Sequence, residues 1–161
     1  MDNQLNEFAQ QLVDRLTERG LKMTAAESCT GGWIAKAVTD IAGSSNCFDR
    51  GFVTYSNEAK REMLGVQAET LEVHGAVSEA TVREMVQGAL THSRAAVTVA
   101  VSGIAGPGGG TPEKPVGTVW FAWAREEGTV VVRCEQFSGD REAVRRQAVV
   151  LALQGLLDLV G

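Results

Sequence analysis

Ala25-Ala26-Glu27-Ser28-Cys29-Thr30-Gly31-Gly32-Trp33 joins a short apolar run, Leu21 to Ala26, to an amphipathic stretch, Ile34 to Ile41. A run that short reads as a strand and the stretch after it as a helix, so the turn is a strand-to-helix joint of an α/β domain. The turn brings a hydroxyl, a thiol and small backbone to a helix N-terminus. Unpaired N–H groups there attract anions and can stabilise an oxyanion. It is a candidate place for a nucleophile, a phosphate or both.

Outward from this joint, the pattern alternates. Leu5, Phe8, Ala9, Leu12, Val13 and Leu16 recur at helical spacing, and Gly20 ends that helix. The helix after the turn is expected from about Thr30 to Ile41. Gly51 to Tyr55 reads as a second strand, and Asn57 to Leu64 as a short helix with Ser56 as N-cap. Ser78 opens another helix, whose face is Val82, Met85, Val86 and Ala89. Ala95 to Val101 is a continuous β-branched run, the mark of a strand buried on both faces. Val116–Ala124 and Val130–Phe137 read as a hairpin, and Asp140 opens a last helix with Val144, Ala148, Leu151 and Ala152 inward. The order α-β-α-β-α-α-β-β-β-α predicts a three-layer α/β/α sandwich with a mixed, mostly parallel sheet, in a single domain spanning 1–161.

The 161 residues carry a net charge of −5, with 44% hydrophobic and 22% charged side chains. An acidic balance gives no electrostatic case for nucleic acid as the main ligand; Arg141, Arg145 and Arg146 are the best candidates for a local basic patch, and their use for one small phosphate is compatible with an acidic whole. No apolar run approaches the roughly 18–20 residues that span a bilayer. Met1 to Gln11 is polar and lacks a signal-peptide core, so a cytoplasmic location is expected. Cys29, Cys47 and Cys134 are odd in number and widely spaced, so no disulfide framework is expected. His74 and His92 are the only histidines, and neither stands at metal-ligand spacing, so no metal is expected.

Each candidate side chain has an ordinary reading beside the chemical one. Ser28 at a strand-to-helix turn is either an N-cap or a nucleophile. It does not sit in a Gly-x-Ser-x-Gly elbow, because Ala26 occupies the first glycine's place. In a parallel sheet the C-terminal ends of the strands gather on one edge, which brings the Tyr55–Lys60 segment towards Ser28. A desolvated Lys60 can act as base, and Tyr55 can orient the pair or relay a proton; a solvated lysine and a packing tyrosine are the alternatives. Cys29 is a rival nucleophile without a histidine partner. Ser102-Gly103-Ile104-Ala105-Gly106-Pro107-Gly108-Gly109-Gly110 reaches the same edge, as a ligand cradle or a flexible loop. Asp140 caps the last helix, and Arg141 and Arg145 share its face, either gripping a phosphate or lying solvated.

Taken in order, Ala-Glu-Ser-Cys-Thr-Gly-Gly, Tyr-Ser-Asn-x-x-Lys, Gly-Ala-Val-Ser, Ser-Gly-Ile-Ala-Gly-Pro-Gly-Gly-Gly, Lys-Pro-Val-Gly-Thr-Val and Phe-x-Gly-Asp-Arg-x-x-Val-Arg make the chain resemble the CinA carboxy-terminal domain family from about Leu5 to Leu157. The resemblance implies, for the stand-alone form, hydrolysis of the carboxamide of nicotinamide mononucleotide (NMN) to nicotinate mononucleotide and ammonia, in pyridine-nucleotide salvage. It further implies a serine–lysine mechanism without metal or cofactor. Ser28 would be nucleophile, Lys60 base and Tyr55 an assisting hydroxyl. Cys29, Thr30, Gly31 and Gly32 would lie at the substrate with oxyanion donors from the Thr30–Gly32 turn. Ser102, where relatives commonly carry threonine, would join Gly103 and Gly106 in substrate binding. Arg141 and Arg145 would suit the phosphate. The longer family form carries an N-terminal domain linked to competence and ADP-ribose hydrolysis, and those roles are not expected here. The readings left open are a nucleotide-binding module without turnover and an amidase for another carboxamide. A homo-oligomer, a dimer first, is expected, although the three tryptophans and the apolar last helix fit an interface or a core equally well.

Overall fold

A computed structural model describes residues 2–161. The elements are α1 (Asn3–Arg19), β1 (Met23–Glu27), α2 (Trp33–Thr39), a 3-10 turn (Ser44–Asn46), β2 (Phe48–Val53), α3 (Asn57–Leu64), α4 (Ala68–His74), α5 (Glu79–Thr91), β3 (Val97–Gly103), β4 (Thr118–Arg125), β5 (Val130–Gln136) and α6 (Arg141–Val160). The five strands form one sheet in the order β2-β1-β3-β4-β5. β2, β1 and β3 pair in parallel, whereas β4 pairs antiparallel with both β3 and β5. β4 alone therefore runs against the other strands, and the sheet is mixed and mostly parallel, as the element order predicts.

Helices cover both faces of the sheet. One core joins α1, α2 and α6 to Met23, Ala25, Val97, Val99, Val101, Val119, Phe121 and Trp123. The other joins α3 and α5 to Ala26, Phe52, Ala100, Ala122 and Ala124. β1 is buried along its length because it is central and covered twice. α1 turns Leu5, Ala9, Leu12, Val13 and Leu16 inward and stops at Gly20, whose φ of 62° no side-chain-bearing residue adopts readily. Full burial of Leu12 and of Leu16 contributes roughly 1.5–3 kcal/mol each. Trp123 also belongs to this core, stacked on Phe121 at 5.4 Å between ring centroids.

Three departures from the sequence reading have local causes. α2 starts at Trp33 rather than Thr30, because Gly31 and Gly32 take φ of 59° and 103° and hold the turn outside the helix. β2 starts at Phe48, three residues before the expected Gly51; Asp49 and Arg50 hide the strand by breaking its apolar pattern. α4 is absent from the sequence reading. It buries no residue fully and is held instead by Glu84 of α5, whose carboxylate accepts from Gln67 N at 2.8 Å and from the Thr70 hydroxyl.

Candidate active site

The parallel strands β2, β1 and β3 end side by side. Glu27 pairs with Val53 on one flank and with Val101 on the other. The ladders continue one residue further: Ser28 N donates to Val101 O at 3.0 Å, and Thr54 N donates to Glu27 O at 2.8 Å. Thr54, Ser28 and Ser102 thus stand abreast on three neighbouring strand ends. Strand alternation separates their neighbours, since Ala25 and Cys29 belong to the α1/α2/α6 core and Ala26 to the other. Ser28 follows Ala26 by two and faces the α3 side.

Lys60 meets it there. Ser56 caps α3 through a bond from Ala59 N, which fixes the helix start, and Lys60 lies one turn in. Its side chain is 1% exposed, and Nζ lies 3.0 Å from Ser28 Oγ, 2.9 Å from Thr54 O and 3.2 Å from Tyr55 O. No carboxylate pairs with it among the described residues. Burial pushes the lysine below its ordinary value of 10.5, against an opposing influence from Cys29. Burial also raises the Cys29 thiol, to about 11, and the thiol is packed in the far core. It stays protonated at neutral pH, so Cys29 presents backbone rather than a reactive sulfur at this edge.

Glu27 gives the turn its shape. Its carboxylate, 1% exposed, accepts from the Thr30 hydroxyl at 2.7 Å, Ile34 N at 2.9 Å and Ala35 N at 3.0 Å. The free N–H groups at the start of α2 are therefore answered from inside the chain, not left for a ligand. Gly31 N donates to Ser28 O at 3.0 Å. Among the described residues, the N–H groups of Cys29, Thr30 and Gly32 have no acceptor. On the outer side, Arg145 donates from Nε to Cys29 O at 3.0 Å and from Nη2 to Thr30 O at 3.2 Å, with its guanidinium 5.6 Å from the Trp33 ring centroid. A cleft of about 810 Å³ runs beside Thr30–Trp33, walled by Lys36 and Arg145; neither Ser28 nor Lys60 lines it.

The remaining candidates divide. Tyr55 is 61% exposed, and its hydroxyl accepts from Arg141 Nη2 at 3.1 Å; the part of Tyr55 that touches Lys60 is its carbonyl. Arg141 also donates to Gly106 O at 2.7 Å, bridging the glycine-rich loop to the end of β2. Ser102 is buried beside Ser28's strand with no hydrogen bond to its hydroxyl among the described residues. Gly103 and Gly106 answer to packing: a Cβ on Gly103 would stand 2.6 Å from Val119 Cγ2, and one on Gly106 2.5 Å from Val116 Cγ1. Lys114 ties this loop to α4 by donating to His74 O at 2.7 Å. Arg146 is separate from the site, paired with Asp2, whose carboxyl it holds at about 2. Glu27 is the residue the sequence reading missed; a carboxylate ending a buried strand just before a helix was the available signal. Among the described residues, no three His, Cys, Asp or Glu side chains gather as a metal centre would require.

Comparison with known proteins agrees with this architecture. A crystal structure titled competence/damage inducible protein CihA from Agrobacterium tumefaciens superposes with a TM-score of 0.98 at 48% identity, covering 100% of this chain and 98% of that one. Nicotinamide-nucleotide amidohydrolase PncC of Escherichia coli (strain K12) is 61% identical over 155 residues, which is 96% of this chain and 94% of that protein. A CinA-like protein of Akkermansia muciniphila is 54% identical over 147 residues, 91% of this chain but 36% of its own length. The model of the CinA C-terminal domain matches residues 5–160, so that one family accounts for nearly the whole chain, turn and strand ends included, and the chain belongs to the CinA C-terminal domain family.

Proposed function

We propose that this protein hydrolyses the carboxamide of NMN to nicotinate mononucleotide and ammonia, in pyridine-nucleotide salvage, with Ser28 as nucleophile and Lys60 as general base. The observation that carries the reading is the buried Lys60 Nζ, 3.0 Å from Ser28 Oγ and without a carboxylate partner. A neutral amine has two N–H groups and one lone pair. The Thr54 and Tyr55 carbonyls take the two N–H groups, leaving the lone pair for the Ser28 O–H. The 61% identity to a protein named for this activity supports the choice of substrate.

An amide is a poor electrophile, so its hydrolysis needs an activated nucleophile, oxyanion donors and a proton for the leaving nitrogen. Lys60 accepts the Ser28 proton as Oγ bonds to the carboxamide carbon. The oxyanion develops towards the unanswered N–H groups of Cys29, Thr30 and Gly32. Lys60 then protonates the nitrogen, the C–N bond breaks and ammonia leaves an ester on Ser28. Water attacks that ester, giving its proton to Lys60, and the proton returns to Ser28 Oγ as the acid departs. Arg145 clamps the turn through two carbonyls, while the more exposed Arg141 is placed for the substrate phosphate, with the Tyr55 hydroxyl held beside it.

The test is ammonia release from NMN. Ser28→Ala and Lys60→Ala should each lose roughly a thousandfold or more in kcat while keeping wild-type circular dichroism. Saturable NMN binding by the wild type with no ammonia released would make the protein a binding module. Wild-type turnover by Ser28→Ala would remove the serine mechanism.

A further inference from the structure

The Thr54 hydroxyl has no role in the scheme above, and its situation is unusual. Thr54 is 0% exposed, and among the described residues Oγ1 is the side-chain polar atom that is both fully covered and without a hydrogen-bond partner. Its strand neighbour on the same face is Phe52, and the core behind it is apolar: Ala26, Ala100, Val82 and Met85. Valine has nearly the same shape as threonine and would remove the unanswered hydroxyl from this wall. No substrate atom reaches a fully covered hydroxyl directly, so its part in the reaction must run through a neighbouring side chain.

We infer that Thr54 Oγ1 is a positioning group for the protonated Lys60, an acceptor that its third N–H uses when Ser28 Oγ is bonded to substrate. The inference rests on the serine–lysine reading. Lys60 Nζ already donates to Thr54 O at 2.9 Å and to Tyr55 O at 3.2 Å, both on the strand end that carries the hydroxyl. When Lys60 is protonated, a third N–H takes the place of the lone pair and points along the same 3.0 Å contact at Ser28 Oγ. Once Oγ forms its bond to the carboxamide carbon it becomes a poor acceptor, and the third N–H needs another oxygen until the proton passes to the leaving nitrogen.

Ser102 lies beyond Ser28, one strand further from Lys60 than Thr54, and the remaining polar groups are engaged or turned away. Glu27 is held by Thr30, Ile34 and Ala35 on the opposite face, and Cys29 sits in that far core. Arg141 and Arg145 are cations, and the Tyr55 hydroxyl accepts from Arg141. α5 presents Val82, Met85 and Val86, while Thr81 donates to Gly75 O.

The test compares Thr54→Val and Thr54→Ser in steady-state ammonia release from NMN and in thermal melting. The valine variant should melt at or above wild type, lose at least about tenfold in kcat and keep KM within about twofold, whereas the serine variant keeps kcat within about threefold. Should the valine variant melt well below wild type, Thr54→Ala stands in for it under the same kinetic criteria. Wild-type kcat in the valine variant, a loss confined to KM, or an equal loss in the serine variant would overturn the inference. Activity in Lys60→Ala or Ser28→Ala would instead strike the serine–lysine reading, so the two failures are told apart.

Discussion

Lys60 has two properties that pull in opposite directions. Burial without a counter-charge lowers its proton affinity, which suits a base and weakens the fold. The unfolded chain keeps the lysine protonated up to its ordinary value of 10.5, whereas the folded chain releases that proton earlier. Between the two values the unfolded state holds more protons, so stability rises with pH; below the folded value the penalty is present in full. Lys60→Met should therefore raise the melting temperature at pH 7 by a few degrees, about 1–2 kcal/mol, while abolishing turnover. In the wild type kcat/KM should climb with pH through the lowered lysine value and then level off below 10.5, and a profile with no rising limb anywhere in the range where the protein stays folded would argue against lysine as the base. The Ser28–Lys60 meeting was legible in the sequence because parallel strands put their C-terminal ends on one edge. The direction of Cys29 was not, because a strand buried on both faces carries no alternation to show which side each residue takes. Glu27 stayed hidden for a related reason: its partners depend on α2 starting at Trp33, after the two glycines.

α3 carries Lys60, and its position depends on how closely α5 approaches. A Cβ on Gly88 of α5 would stand 1.9 Å from Leu64 O at the end of α3, a contact that backbone cannot relieve by rotation. Gly88→Ala should destabilise the protein by more than about 2 kcal/mol and, by displacing α3, reduce turnover in whatever fraction remains folded. Denaturant midpoint and specific activity measured on the same sample check this. A variant with wild-type midpoint would mean that the helices separate without cost. The sequence marked α5 well, with Ser78 as cap and four apolar residues on one face, because both signals are local. α4 left no such mark. It depends on Glu84, which arrives from α5, and a helix held by a neighbour's carboxylate has little apolar periodicity of its own. The polar start of β2 escaped for the opposite reason, since its pairing with β1 needs no apolar side chain at Asp49 or Arg50.

Across the whole molecule, the candidate site gathers Ser28, Lys60, Ser102 and Arg141 from four separate regions of the chain. Element order alone did not give the strand order β2-β1-β3-β4-β5, although it did give the layers and the hairpin. Arg141 reaches from α6 to Gly106 and to Tyr55. Arg141→Ala should raise KM for NMN by about tenfold or more with a smaller change in kcat, and leave turnover of nicotinamide riboside, which lacks the phosphate, nearly unaltered. Equal losses on both substrates would mean that Arg141 holds the loop and not the phosphate. The three cysteines are free, two of them buried and Cys134 exposed on β5, three strands along from β1. The sheet therefore offers one outward thiol roughly 14 Å from the strand that bears Ser28. Partial burial and Glu135 hold that thiol above its ordinary value, so a maleimide dye will attach faster at mildly alkaline pH. Cys134 stands in register with Trp120 and Ser102, the row that leads to Ser28, so a dye there can report substrate binding by fluorescence without an engineered cysteine.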